Sequence, residues 1–274
     1  MQHWNLTKEI RTTYGSIRYD VQGSGPPLVL IHGTPWSSFN WRHLLPALGR
    51  SYTIYYYDLL GYGQSEKRDS QDVSLGVQNQ VLDELLDVWS LEAPIIIGHD
   101  FGGTTALLTH LLNERSFQQM ILIDPVAVAP WGSSFFTHVS HHMDAFQGVP
   151  DFIHEAMVEA YVQGATYKPM TAETLAGIKA PWLGTEGQHA FYRQMAQADQ
   201  KYTDAIEPRY GEVSAPALIV WGEKDAWIPV DRAHTLHKAI PGSCLELIPG
   251  AGHLVQEDAP THLLACITDF LSEK

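Results

Sequence analysis

The sequence predicts a doubly wound α/β fold, in which a mostly parallel β-sheet carries helices on both faces. Short, largely apolar segments recur along the chain, as expected for strands that are covered on both sides. Between several of these segments, apolar residues recur three and four positions apart, which is typical of helices. Strands that alternate with helices favour a parallel sheet with crossover helices.

The predicted strands begin with a β-hairpin at residues 7–22, where polar and apolar residues alternate around Gly15-Ser16. The later predicted strands lie at 26–33, 52–58, 93–100, 119–125, 215–225 and 244–253. Helical spacing is clearest at 77–91 and 104–112, and the segment PTHLLACITDFL predicts a helix close to the end.

Residues 126–212 interrupt this alternation and are rich in His, Phe, Tyr, Trp and Met. We interpret this segment as a helical lid inserted into a core formed by residues 1–125 and 213–274. Ligands bind at the carboxyl ends of the strands in such folds, so the lid is expected to cover a pocket there. Four aromatic residues are expected in the lid interior or the pocket wall: Trp131, Phe135, Phe136 and Trp182. An aromatic wall favours apolar substrates.

Composition indicates a cytoplasmic protein that acts on a small molecule. Asp and Glu number 31 against 17 Lys and Arg, and the net charge of −14 repels nucleic acids and anionic membranes. No apolar run reaches the roughly 18 residues of a membrane span, and no secretory signal is recognisable. Cys244 and Cys266 lie in apolar segments, which predicts buried free thiols in a reducing compartment.

The segment IIIGHDFGG at 95–103 predicts a strand that breaks into a tight turn and then a helix. Its frame from Gly98 to Gly102 matches G-x-S-x-G, with Asp100 in the position of the serine. Three other polar segments follow predicted strands: HGTP at 32–35, WGEKD at 221–225 and GAGH at 250–253. The carboxyl ends of parallel strands meet at one edge of a sheet, so these segments are expected to lie close together.

With DLLGYGQS at 58–65, these segments resemble those of α/β-hydrolase-fold enzymes over nearly the whole chain. The order nucleophile, acid, histidine is also that of the family. The resemblance implies that Asp100 is the nucleophile, Asp225 the orienting acid and His253 the base. Asp124, which ends the preceding strand, is the alternative acid.

The same resemblance implies an oxyanion hole formed by the backbone N–H groups of Thr34 and Phe101. Pro35 is expected to shape the first of these two turns. His32 and His99 flank the turns and are expected to hold the loops through hydrogen bonds to the backbone.

An aspartate nucleophile resembles the branch that contains epoxide hydrolases, haloalkane dehalogenases and haloacetate dehalogenases. Their substrates present an sp³ carbon, from which a serine would form an ether that water does not readily cleave. A carboxylate instead forms an ester, which a histidine-activated water hydrolyses. With a reference pKa of about 4, aspartate is already ionised at pH 7.

The two dehalogenase groups differ from this chain next to the nucleophile. Haloalkane dehalogenases usually place Trp after the nucleophile and Asn after the HG pair, where this chain has Phe101 and Thr34. Haloacetate dehalogenases carry Arg after the nucleophile and another Arg nearby, where this chain has Phe101 and Thr104. The obvious holders of a halide and of a substrate carboxylate are therefore absent from the sequence.

Epoxide hydrolases carry an HGxP turn, which HGTP matches, and lid tyrosines that donate a proton to the epoxide oxygen. The segment FYRQ at 191–194 resembles the family segment with one such tyrosine, which implies Tyr192 as the acid. Near the start of the lid, where the other tyrosine is expected, this chain offers histidines as candidate donors: His138, His141 and His142. No carboxylate or cysteine completes a metal-ligand spacing with them, so no metal and no cofactor is expected.

The sequence therefore predicts a hydrolase that opens epoxides of small apolar or aromatic substrates to diols, with the substrate and water as its only partners. The first alternative is a hydrolytic dehalogenase of haloalkanes or haloacids. The second is a repurposed fold that acts as a ligand receptor or a non-hydrolytic enzyme.

Overall fold

The computed structural model describes residues 4–272 and confirms the predicted α/β architecture. Within these residues one sheet of eight strands forms the centre of the molecule. The strands are β1 (Lys8–Arg11), β2 (Ser16–Gly23), β3 (Pro27–Ile31), β4 (Thr53–Tyr57), β5 (Ile95–His99), β6 (Met120–Ile123), β7 (Ala217–Gly222) and β8 (Cys244–Ile248).

The order of the strands is β1-β2-β4-β3-β5-β6-β7-β8. Strand β2 pairs antiparallel with β1 and β4, so the predicted hairpin is confirmed. The remaining pairs are parallel. In β5, Ile97 lies between Leu30 of β3 and Ile121 of β6, so the strand before Asp100 is held on both edges.

Twelve α-helices lie within residues 4–272. They are α1 (Leu45–Leu48), α2 (Leu75–Val88), α3 (Phe101–Leu112), α4 (Ser134–His141), α5 (Met143–Gln147), α6 (Asp151–Gln163), α7 (Ala172–Lys179), α8 (Gly184–Ala196), α9 (Lys201–Asp204), α10 (Asp231–Ala239), α11 (Val255–Asp258) and α12 (Pro260–Ser272). Short 3₁₀ segments span Ser38–Trp41, Ala180–Trp182 and Glu207–Glu212. Helices α4 to α9 lie between β6 and β7, and α3 begins three residues before the predicted helix.

Successive side chains of a strand point to opposite sides of the sheet. Because the strands are apolar at successive positions, both faces of the sheet are apolar. In β3, Val29 and Ile31 join one buried cluster, together with residues of α2, α3 and the segment between β6 and β7. Leu28 and Leu30 join the other cluster, together with residues of α1 and α12. Helices thus cover both sides, which explains why the strands read as continuous apolar runs.

The two cysteines are free, but the prediction that both are buried is wrong. Cys266 is half-buried and Cys244 is exposed. Cys244 begins β8, which lies at an edge of the sheet and alternates between exposed and partly covered residues. Among the helices of residues 4–272, none combines the length and the apolar character that a membrane crossing requires.

Candidate active site

Asp100 occupies the tight turn between β5 and α3. Its backbone has φ 54° and ψ −121°, a conformation that is rare for a residue other than glycine. Such strain costs about 1–3 kcal/mol and is concentrated at functional sites. A Cβ on Gly102 would overlap the carbonyl oxygen of Ile31, so the turn packs against β3 only with glycine at this position.

His253 links Asp100 and Asp225 in one buried chain of side chains. Its Nε2 lies 3.3 Å from Oδ2 of Asp100, and its Nδ1 lies 2.8 Å from Oδ2 of Asp225. The other oxygen of Asp225 accepts hydrogen bonds from the backbone N–H groups of Trp227 at 2.7 Å and Ile228 at 2.9 Å. The side chain of Asp225 is therefore fixed by the loop after β7, and it orients the imidazole toward Asp100.

The turn after β3 supplies a donor to the other oxygen of Asp100. The N–H of Thr34 donates to Oδ1 of Asp100 at 2.6 Å. A Cβ on Gly33 would overlap this same oxygen, so glycine is required for the close approach. Phe101 is the first residue of α3, where a backbone N–H has no partner within the helix. The peptide bond between Thr34 and Pro35 is cis.

His32 and His99 bind backbone groups, as predicted. Nδ1 of His32 lies 2.8 Å from the carbonyl oxygen of Gly33, and Nε2 accepts the N–H of Leu59 at 2.9 Å. Nε2 of His99 lies 3.0 Å from the carbonyl oxygen of His253. Burial lowers the pKa of His99 well below its ordinary value, and the charge of His253 lowers it further. A neutral His99 therefore holds the loop that carries His253.

The electrostatics of His253 depend on its two carboxylate neighbours. Burial lowers the pKa of His253, but the negative charges of Asp225 and Asp100 outweigh this effect and leave the pKa well above its usual value. The imidazolium form is therefore favoured while Asp100 is ionised. Because part of the shift comes from Asp100, neutralising that side chain must lower the pKa of His253.

Asp124, the alternative acid, follows β6 and is buried beside the chain formed by Asp225 and His253. One polar atom of each of the three residues lies within 4.8 Å of the others. Oδ1 of Asp124 accepts the N–H of Gly222 at 2.9 Å, whereas Oδ2 has no donor among the described residues. Burial raises the pKa of Asp124 well above its usual value, and the charge of Asp225 raises it further. A neutral Asp124 can direct its O–H toward Asp225.

Replacing Asp124 by Asn is expected to preserve most of the activity and to improve stability at higher pH. The amide keeps an acceptor for Gly222 and a donor toward Asp225. Because the folded-state pKa of Asp124 is raised, the wild-type fold loses stability as pH rises from the unfolded pKa toward the folded one. Chemical unfolding of both proteins from pH 4 to pH 9 should show a widening advantage for the variant. A constant difference would contradict the raised pKa.

An apolar pocket with a volume of about 130 Å³ opens over Asp100. Aromatic side chains form much of its wall: Phe101, Trp131, Phe136, Tyr161 and Trp227. Thr34 and Ser133 add hydroxyl groups, and among the described lining residues there is no Lys or Arg. The pocket thus suits a small, apolar or aromatic substrate without negative charge.

Tyr161 of α6 is the tyrosine that lines this pocket, and the sequence motifs did not identify it. Burial raises the pKa of its hydroxyl well above the ordinary value, and the charge of Asp100 raises it further. The hydroxyl therefore keeps its proton in the resting protein. Its ring stacks on Trp227 at a centroid distance of 4.6 Å, which joins the segment between β6 and β7 to the loop of Asp225.

Tyr192, the tyrosine implied by the FYRQ segment, lies elsewhere. Its side chain is fully buried and its hydroxyl lies 3.0 Å from Nδ1 of His154. Burial raises the pKa of Tyr192 to about 12. It does not line the pocket with Asp100. The neighbouring Gln194 instead faces the site, where its Oε1 accepts hydrogen bonds from the hydroxyls of Tyr62 at 3.0 Å and Thr34.

The predicted histidine donors also lie outside the pocket lining. His138, His141 and His142 are exposed on α4 and the residue after it, although Phe136 of the same helix reaches the pocket. The rings of His138 and His142 contact each other at a centroid distance of 4.8 Å. Residues two positions apart point to nearly opposite sides of a helix, so Phe136 and His138 meet different surroundings.

The comparisons with known proteins agree with this architecture. The sequence model of the alpha/beta hydrolase family matches residues 28–265. The crystal structure of an alpha/beta hydrolase fold protein from Burkholderia ambifaria is 44% identical, with a TM-score of 0.95 over 98% of this chain and 99% of that chain. The predicted α/β-hydrolase fold is therefore confirmed.

Two curated relatives carry the activities considered above. Haloalkane dehalogenase 2 of Mycobacterium tuberculosis is 27% identical over 277 residues, covering 93% of this chain and 91% of the relative. Epoxide hydrolase 3 of Xenopus tropicalis is 26% identical over 288 residues, covering 96% of this chain and 77% of the relative. The predicted resemblance to the group that contains both activities is therefore confirmed.

Proposed function

This chain belongs to the alpha/beta hydrolase family and is a hydrolase, and from that premise we propose that it opens epoxides of small apolar or aromatic substrates to diols. One observation carries the choice: Tyr161 lines the same pocket as Asp100, so an acid and a nucleophile face one cavity. We assign the segment 126–212, which carries Tyr161, as the lid of this pocket.

In the first step, Oδ2 of Asp100 attacks an epoxide carbon, and the bond from that carbon to the ring oxygen breaks. Oδ1 stays in the hydrogen bond from the N–H of Thr34. Tyr161 gives its proton to the alkoxide that forms, since an alkoxide is a stronger base than a phenolate. The products of this step are an alkyl-enzyme ester and a tyrosinate.

In the second step, His253 becomes the base. The ester removes the negative charge of Asp100, so the pKa of His253 falls and the imidazolium loses its proton. That proton balances the one lost by Tyr161. The neutral imidazole then deprotonates water, which attacks the carbonyl carbon of Asp100, and the oxyanion is held by the N–H groups of Thr34 and Phe101. The imidazolium gives that proton to the leaving alkoxide oxygen, which releases the diol, and the proton left on the carboxyl group of Asp100 returns to His253.

Dehalogenation is the second candidate, favoured by the relative that is a haloalkane dehalogenase. Its difficulty is the leaving group. Trp131 lines the pocket, but its indole N–H donates to the hydroxyl of Thr203 at 2.7 Å. The indole N–H of Trp182 donates to the carbonyl oxygen of Pro35 at 2.7 Å. Both of these indole N–H groups are paired within the protein, so a halide would depend on another pocket residue such as Trp227, whereas an epoxide oxygen can take the proton of Tyr161.

The variant His253→Gln tests the proposal because it removes the base and leaves the nucleophile. The ester should form and persist, so the intact protein mass should rise after exposure to a mixture of epoxides and haloalkanes. An epoxide adds its whole mass, whereas a haloalkane adds its mass less HX. The double variant with Asp100→Ala is the control and should stay unmodified.

A whole-epoxide adduct on Asp100 would support epoxide hydrolysis. An adduct that is short by HX would make the protein a dehalogenase. The absence of any adduct from a broad mixture would contradict the ester mechanism and would favour a ligand receptor or a non-hydrolytic enzyme.

A further inference from the structure

Trp227 contacts three parts of the proposed machinery. It follows β7, and its backbone N–H donates to Oδ1 of Asp225 at 2.7 Å. Its ring stacks on the imidazole of His253, with centroids 5.1 Å apart and planes at 29°. It also stacks on Tyr161, with centroids 4.6 Å apart and planes at 27°. No sequence motif singled out this residue.

The face of an indole carries negative electrostatic potential, and among aromatic side chains it attracts cations most strongly. A ring that stacks on His253 therefore stabilises imidazolium more than neutral imidazole. The effect is strengthened because His253 is fully buried and has little competing water. Trp227 itself is half-buried and lines the pocket, so it also separates the base from the opening.

We propose that Trp227 is a positioning residue that holds the imidazolium of His253 by stacking and aligns Tyr161 with it across the pocket. This inference rests on the proposed function, since it gives His253 and Tyr161 their roles. It adds a residue that connects the lid donor to the base. When the ester forms, the proton must leave His253 against this stabilisation, so Trp227 sets the pH above which the second step proceeds.

Other charged and titratable groups also face His253. Asp100 and Asp225 bind its ring nitrogens, Asp124 lies beyond Asp225, and His99 contacts it with ring centroids 5.0 Å apart. None of these four groups is part of the side chain of Trp227. A substitution at Trp227 that keeps the site covered therefore changes the stacked face and leaves these groups in place.

The test compares Trp227→Phe, which keeps an aromatic face, with Trp227→Leu, which keeps an apolar cover without one. The imidazole of His253 is titrated by NMR in the absence of substrate. We expect the midpoint to fall by about 0.5–1 pH unit in the Leu variant and to change much less in the Phe variant. Trp227→Met is a second aliphatic replacement should the Leu variant not fold. Trp131→Leu changes a wall tryptophan that packs on Phe101, and it should leave the midpoint unchanged.

Turnover supplies the second readout. The acid limb of the pH profile of kcat should move to lower pH in the Leu variant and not in the Phe variant, whatever happens to KM. Equal midpoints in all variants would overturn the inference, as would a similar fall in the Trp131 variant. Since the NMR titration uses no substrate, it decides the role of Trp227 even where the proposed epoxide hydrolysis fails.

Discussion

Replacing Asp100 by Ala is expected to abolish turnover, with a loss of roughly 10⁴-fold or more in kcat. The carboxylate forms the covalent bond, and no other carboxylate lines the pocket among the described residues. Removing it therefore removes the ester route, and His253 is left without an ester to hydrolyse. Initial rates of diol formation by wild type and variant measure the effect.

Two controls accompany this variant. Circular dichroism and thermal unfolding should show an intact fold. Ala removes the hydrogen bond from Thr34, but it also removes a buried negative charge, and the two effects on stability oppose each other. Binding of a non-reactive substrate analogue should persist. Activity within 100-fold of wild type would mean that water attacks the substrate directly, and the ester mechanism would be wrong.

Replacing Tyr161 by Phe is expected to lower kcat for epoxides by about 10²–10⁴-fold, the range typical of general acid catalysis. The ring and its stacking on Trp227 remain, so the variant removes little except the proton donor. Steady-state rates with a neutral aryl epoxide measure the loss. A haloalkane needs no proton at its leaving group. If Tyr161→Phe kept full activity on haloalkanes while the wild type did not act on epoxides, the protein would be a dehalogenase.

Tyr192→Phe is the matched control, since it removes the same hydroxyl from a neighbouring helix of the segment 126–212. It breaks the contact with His154 and should lower the free energy of unfolding by about 1 kcal/mol. Its kcat should stay close to that of wild type. The reverse result, with activity lost in the Tyr192 variant and kept in the Tyr161 variant, would restore the donor implied by the FYRQ segment.

The turn that carries Asp100 could be predicted because its causes are local. A buried strand, a turn with glycines on both sides of Asp100 and the start of a helix all lie within the nine residues 95–103. The strain at Asp100 and the close approach to Ile31 demand those glycines. The grouping of Asp225 and His253 was predictable for a related reason, because parallel strands bring their carboxyl ends to one edge.

The strand pattern alone did not separate Asp225 from Asp124, and the preference for Asp225 came from the resemblance to α/β-hydrolase-fold enzymes. Both follow neighbouring strands, and in both cases the backbone brings the carboxylate close to His253. What separates them is the distance of 2.8 Å between Oδ2 of Asp225 and Nδ1 of His253, together with the hydrogen bonds that the loop of Trp227 donates to Asp225. Those contacts depend on how the loop folds back over the strand ends.

By itself, the sequence determined the fold class, the elbow with Asp100 and the segments at the strand ends. Alternation and glycine sterics act over short range, and parallel strands place their carboxyl ends at one edge of the sheet. The tertiary structure alone decided that Tyr161 faces the pocket, that Tyr192 binds His154 and that Cys244 is exposed. The rotation of each helix between β6 and β7 and the exposure of an edge strand follow from packing against distant segments. Periodicity within one segment carries no record of that packing.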